Sequence, residues 1–187
     1  CKSTLCSRLL VHLAQSIPEA EIRSLHVSEE RSVQDAQKMV WSALPMRYKR
    51  SKKKSANHSL QYNQKNGFNS AKAILPPIKM DADRGSTIYF NNYRQYQADP
   101  QIYERWSAHA IHCDEEVSEA IFNTLLARLT DFSGRVLLSF TTLQGYTPLI
   151  NSLLKGAKTV TKKYSNLLGR ELPIEHESAN WPDCRIY

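Results

Sequence analysis

Two short clusters in this chain carry residue types that could do chemistry. The first is Asp114-Glu115-Glu116, directly behind the apolar run of AIHCDEEV, residues 110–117. A carboxylate at a strand tip can hold magnesium, directly or through water. A glutamate beside it can orient and deprotonate a water molecule. Acids after a strand also suit a helix start, where negative charge is favoured, and Glu115 and Glu116 could serve the helix expected next. The second cluster is Lys2-Ser3-Thr4, which runs straight into an amphipathic stretch. It matches the last part of G-x-x-x-x-G-K-[ST]. There the lysine reaches the β and γ phosphates, the hydroxyl ligates magnesium, and the helix N-terminus offers N–H groups to phosphate. Cys1 stands where that pattern has glycine, and Lys-Ser-Thr alone is a common tripeptide.

These residues need elements to hold them. Residues 3–14 place Leu5, Leu9, Leu10 and Leu13 on one helical face. Residues 21–27 read as a strand and 32–44 as a helix. Val33, Ala36, Val40 and Ala43 share a face there, Ser32 with Asp35 suggests a cap, and Pro45 stops the helix. Residues 47–59 are basic and poor in apolar side chains, which suits a solvated loop or, as the sharper reading, DNA contact. NQKNGF, 63–68, is a turn between extended segments, and the proline pair in KAILPPIKM excludes a central strand. Strands are expected over 86–93, 107–113 and 135–141. The last is expected to be buried and to leave through SFTTLQG, where Thr141 and Thr142 precede a turn at Gly145. A helix is expected over 118–131, with Ile121, Leu125 and Leu129 in register. Another opens at Thr147-Pro148, as N-cap and first turn, and 185–187 has the start of a strand. Helices alternating with short apolar strands predict an α/β fold: a mainly parallel central sheet flanked by helices, with ligands at the carboxyl ends of its strands.

Composition narrows the class. The chain has 187 residues, 41% hydrophobic and 23% charged, enough for one globular domain. A formal net charge of +7 favours a polyanion partner. No apolar run approaches a membrane span. The four cysteines, Cys1, Cys6, Cys113 and Cys184, show no Cys-x-x-Cys spacing, which argues against zinc and suits a reducing compartment. The start CKSTLC has no Met and no signal segment. Both ends read as cut, so an internal fragment of a longer protein is expected.

The order of the pieces carries a resemblance. STIYFNNYRQ, then IHCDEE, then IFNTLLARL and GRVLLSFTTLQG resemble the ATPase domain of the large terminase subunits of tailed bacteriophages. IHCDEE is similar to that family's Walker B segment with its doubled glutamate. Upstream, AEIRSLHVSEERSVQDAQKMVWSALP resembles the strand and helix after the P-loop, and NGFNSAKAILP the segment that follows. The family has Thr-Pro-Leu-x-Gly where Thr142 here occupies the proline position. The resemblance spreads over residues 1 to about 155. It implies a P-loop NTPase of the RecA/ASCE type, here a partial domain that starts within Walker A and lacks the C-terminal nuclease domain. It implies a motor that hydrolyses ATP with Mg2+ to thread double-stranded DNA into a preformed capsid. The implied partners are a portal protein, a small terminase subunit and copies of the chain in a ring, of five subunits. The implied setting is the bacterial host cytoplasm, with no membrane association. Carried over residue by residue, Lys2, Ser3 and Thr4 bind the nucleotide and Ser3 and Asp114 hold magnesium. Glu115 is the catalytic base, and Thr141 and Thr142 belong to the coupling motif. Arg105 is a candidate arginine finger for a neighbouring subunit, or else a surface ion-pair partner. His109 and His112 read as packed or solvated rather than ligands.

Two rivals stand beside this reading. A superfamily 2 helicase shares the P-loop, the acidic motif and a hydroxyl-rich third motif. Helicases favour Asp or His at the fourth position of that acidic motif, where the run here continues Asp-Glu-Glu-Val. The other rival is a basic α/β module that binds DNA or a partner without turnover.

Overall fold

The computed structural model describes residues 2–49, 60–76, 85–141, 147–181 and 183–186. Cys1, most of the basic run (50–59), Thr142 and Gly145 lie outside the described residues. Contacts divide the chain into two compact units, Cys1–Thr141 and Thr142–Tyr187.

The first unit begins with α1 (Lys2–Ser16) and β1 (Glu21–His26). Burial on α1 falls on Cys6, Ser7, Leu10, Val11 and Ala14. Leu5 and Leu9, expected inside, are exposed. The inward stripe follows the fourfold spacing 6-10-14 across the sheet, one residue round from the leucines. The next helical run is α2 (Glu29–Arg31), a π-turn over Ser32–Gln37, and α3 (Lys38–Ala43). Its cap is Ser28, whose hydroxyl accepts the Arg31 N–H at 3.3 Å, not the expected Ser32. Ser32 instead accepts the Gln37 amide at 3.1 Å. The wide π-turn aligns residues five apart, which lets this buried pair meet. Gln37 in turn accepts the Phe68 N–H at 2.8 Å. Gly67, at φ +73°, is required beside it, because a Cβ there would lie 2.2 Å from Gln37 Oε1.

A short hairpin, β2 (Tyr62–Asn63) and β3 (Gly67–Phe68), leads to β4 (Lys72–Ile74) and β5 (Thr87–Asn92). α4 (Tyr93–Ala98), β6 (Ala110–Asp114), α5 (Glu119–Ala127) and β7 (Arg135–Ser139) complete the unit. The strands form one sheet in the order β4-β5-β1-β6-β7. All neighbours are parallel except the edge strand β4, whose edge place agrees with the proline pair that follows it. The unit is therefore mixed α/β with a mainly parallel sheet. Leu10, Val11, Ala14, Val40 and Phe68 pack with Ile22, Ile88, Phe90 and Ala110 over one face. By strand alternation Leu25, Ile111 and Cys113 point to the other face, and all three are buried. β7 differs from expectation: its Val136, Leu137 and Leu138 are only half-buried, because β7 is an edge strand.

The second unit contains α6 (Pro148–Leu154), capped by Thr147 as expected, and an antiparallel sheet. That sheet is β8 (Lys158–Ser165), β9 (Arg170–Glu177) and β10 (Arg185–Ile186) in the order β10-β9-β8. The β8–β9 hairpin was not expected. Its strands are largely exposed, and their few apolar residues, Val160, Tyr164, Leu172 and Ile174, are outnumbered by charged and polar ones. Ser178 Oγ donates to Leu153 O at 2.7 Å and ties the sheet to α6. Among the described residues no helix is long and apolar enough to cross a membrane.

Candidate functional site

β6 buries four residues and then releases Asp114 at its carboxyl end. The parallel register sets Asp114 level with Ser139 on β7, and His112 level with Ser24 on β1. Ser24 and His26, like His112 and Asp114, are two apart on their strands and share a face. It is the face of Ile22 and Ala110, which pack under α1.

The first residue of α1 reaches this strand end. Lys2 Nζ donates to Ser139 O at 3.1 Å and lies 3.9 Å from Glu115 Oε1. Both side chains are about one-third exposed, so the ion pair adds at most about 1 kcal/mol. Glu115 is one of six non-glycine residues with positive φ among the described residues. Its φ is +73°, a left-handed conformation that costs a non-glycine residue about 1–3 kcal/mol. Its N–H donates to Ser139 O at 2.9 Å, and the Tyr93 hydroxyl donates to Asp114 O at 3.0 Å. These two bonds hold the turn against its strain.

Asp114 faces two contacts that the sequence reading missed. His26 Nδ1 lies 3.6 Å from Oδ2, and Ser139 Oγ lies 3.4 Å from Oδ1. Behind them, Ser24 Oγ stands 3.0 Å from His26 Nε2 and 3.3 Å from His112 Nδ1. His112 Nε2 and Ser139 Oγ are 2.8 Å apart. The signal available in the sequence was polar residues at alternate positions of two apolar strands, Ser24-x-His26 and His112-x-Asp114. Burial works to raise the Asp114 pKa, but His26, then His112 and Lys2, hold it below the ordinary carboxylate value. Burial pushes His112 down to about 4, with His26 adding and Asp114 opposing. Burial also pushes the Cys113 thiol up to about 12, which rules it out as a thiolate nucleophile at neutral pH.

The carboxylates open on a cleft of about 250 Å³. Ser3, Arg31, Asp35 and Met39 line it together with Asp114 and Glu115. Arg31 is a cation on this cleft that sequence reasoning did not single out. Among the described residues no group of three or more His, Cys, Asp or Glu is placed to hold a metal ion. One carboxylate and the Ser3 hydroxyl on a shared cleft suit Mg2+, which keeps several waters and takes phosphate oxygens as further ligands. They do not suit zinc.

The other expected site residues fall as follows. Thr4 is half-buried in the first turn of α1 and does not line the cleft. Thr141 is exposed two residues beyond β7, and Thr142 is outside the described residues. Arg105 is exposed on the segment leading into the amino end of β6. Its neighbour Glu104 offers its carbonyl to Arg128 beyond the far end of α5, at 2.7 Å. Arg105 thus joins none of the contacts around Asp114. His109 is a packed histidine: Nδ1 accepts the Glu21 N–H at 3.1 Å and the ring stacks on Phe132 at 3.9 Å. The structure therefore gathers Lys2, Ser3, Asp114 and Glu115, adds Ser24, His26, Arg31, His112 and Ser139, and leaves Arg105 apart. Comparison with known proteins returns no match: no family model matches the chain, and neither does a curated protein or a solved structure.

Proposed function

We propose that the protein is an ATP-hydrolysing motor domain of the P-loop type, acting with Mg2+ to move double-stranded DNA into a viral capsid as part of a terminase. The observation that carries this reading is the meeting of Lys2 with Glu115 and Ser139 at the carboxyl ends of β6 and β7. A lysine at a helix start is electrostatically disfavoured without an anion nearby. Here it faces the acid pair at the end of a parallel sheet, where nucleotides bind in α/β proteins. In this reading Lys2 holds the terminal phosphates and Ser3 and Asp114 hold Mg2+. Glu115 takes the proton of the attacking water, and Thr141 couples hydrolysis to movement. The strained backbone of Glu115 supports its role, since strain gathers where the side chain must be aimed. Arg105 would act, if as a finger, only on a neighbouring subunit's nucleotide. The net charge of +7 supports a DNA partner. A ring of copies at a portal, a small terminase subunit and the host cytoplasm complete the reading.

The test is Mg2+-ATP hydrolysis with and without double-stranded DNA, by a protein that carries the complete G-x-x-x-x-G-K-[ST] loop, with Glu115→Gln as control. Turnover that DNA stimulates, and that Glu115→Gln lowers by at least about 100-fold with ATP still bound, supports the motor. Loss of ATP binding in that variant would make Glu115 structural. A folded wild-type protein that neither binds nor hydrolyses ATP refutes the reading and favours a passive binding module.

A further inference from the structure

The contacts behind Asp114 close into a ring: Asp114 to His26, to Ser24, to His112, to Ser139, and back to Asp114. An imidazole lone pair facing an ionised carboxylate across 3.6 Å is electrostatically repulsive, so His26 turns its Nδ1–H toward Asp114 Oδ2. Ser24 Oγ, 3.0 Å from His26 Nε2, holds the other side of that imidazole.

Serine, imidazole and carboxylate in that order also make the catalytic triad of acyl-transfer enzymes. Ser24 does not suit a nucleophile, because it is 1% exposed and its oxygen sits between two imidazoles.

We propose that Ser24 and His26 are positioning residues that fix the Asp114 carboxylate for a divalent cation. His26 is inflexibly placed for this, being 2% exposed and stacked on Phe90 at 6.5 Å between ring centres. This inference rests on the nucleotide reading above, with Asp114 as the metal carboxylate. Partners of this kind, one step behind a metal ligand, typically govern affinity by about 10–100-fold.

The test is Mn2+ binding in the presence of a non-hydrolysable ATP analogue, followed by electron paramagnetic resonance. His26→Asn keeps a side-chain N–H near the Nδ1 position, whereas His26→Leu removes it. Ser24→Ala removes the hydroxyl that meets His26 Nε2 and is the gentler change should His26→Leu fail to fold. The expected result is Mn2+ affinity weakened about 10–100-fold in His26→Leu, intermediate in Ser24→Ala, and within about threefold of wild type in His26→Asn. Equal weakening in His26→Asn and His26→Leu would reduce His26 to a packing residue and overturn the proposal. So would wild-type affinity in both His26→Leu and Ser24→Ala. Labelling of Ser24 by a fluorophosphonate would overturn it too, by making Ser24 a nucleophile. If the wild-type protein takes up no Mn2+ with the analogue, the metal reading itself fails and this proposal with it.

Discussion

Acidifying the protein from pH 7 to 4.5 should destabilise it through one named residue, His112. Its imidazole lies inside the sheet, 4% exposed, and burial with the nearby His26 moves its pKa from 6.5 to about 4. Asp114 opposes the shift and Lys2 adds to it, and Ser24 and Ser139 occupy both ring nitrogens. The sign follows from linkage. Above pH 6.5 neither folded nor unfolded His112 holds the extra proton, and the fold keeps its full stability. Between 6.5 and about 4 the unfolded chain takes a proton that the folded chain refuses, so stability falls as pH falls. At 1.36 kcal/mol per pKa unit, the full window amounts to about 3 kcal/mol. The Asp114 carboxyl is depressed, and its own contribution is lost only below its ordinary 3.8, outside the window. The assay is urea unfolding of wild type and His112→Gln at pH 7, 5.5 and 4.5. Histidines away from this ring, including the depressed His109, cancel in the difference between the two proteins. Wild type should lose about 2–3 kcal/mol relative to His112→Gln across this range. Parallel stability curves would refute the buried, neutral His112 and the ring built on it.

Two further outcomes follow from the site. Glu115→Gly should raise stability by about 0.5–1 kcal/mol, as the left-handed strain relieved exceeds the chain entropy that glycine adds; a lower urea midpoint would mean the φ of +73° is not strained. Arg31→Ala should lower kcat/KM for Mg2+-ATP by about 10–100-fold, since a charge-assisted bond to phosphate contributes roughly 1.5–3 kcal/mol. Unchanged kinetics would leave Arg31 a solvated rim residue.

The sheet was legible because its signals are local. Apolar runs bounded by turn residues mark β1, β5 and β6, and the alternation with helices implies parallel neighbours. The carboxylates were legible for the same reason, being acids placed directly after a buried run. What was hidden depends on register. Ser24 and His112 are 88 positions apart, and His112 and Ser139 are 27 apart, and nothing local says that they touch. The α1 face was misjudged because leucines at 5 and 9 outweighed the smaller Cys6 and Ala14, which the sheet buries. The β8–β9 hairpin was hidden because its few apolar residues are outnumbered by charged and polar ones in strands that stay largely exposed.

The places where this chain breaks local rules are themselves informative. A glutamate stands in a left-handed turn that glycine or asparagine would occupy at less cost, and two imidazoles sit inside the sheet against Ser24 and Ser139. Buried polar groups stabilise little even when bonded and cost about 1–3 kcal/mol each when they are not. A core built for stability alone would place aliphatic side chains at 26 and 112. Both exceptions meet at one point: Glu115 follows Asp114 in the chain, and the ring of histidines and serines closes on its carboxylate. Left-handed non-glycine residues stand elsewhere too, at Glu19, Ser70, Ala71, Ser133 and Asp183, but at this strand end the strain coincides with buried imidazoles held by specific partners, which is the pattern of a site rather than of a loosely packed core. The same reasoning ranks the candidates. Arg105 breaks no rule and joins none of the contacts around Asp114, whereas Lys2, His26 and Glu115 each do both.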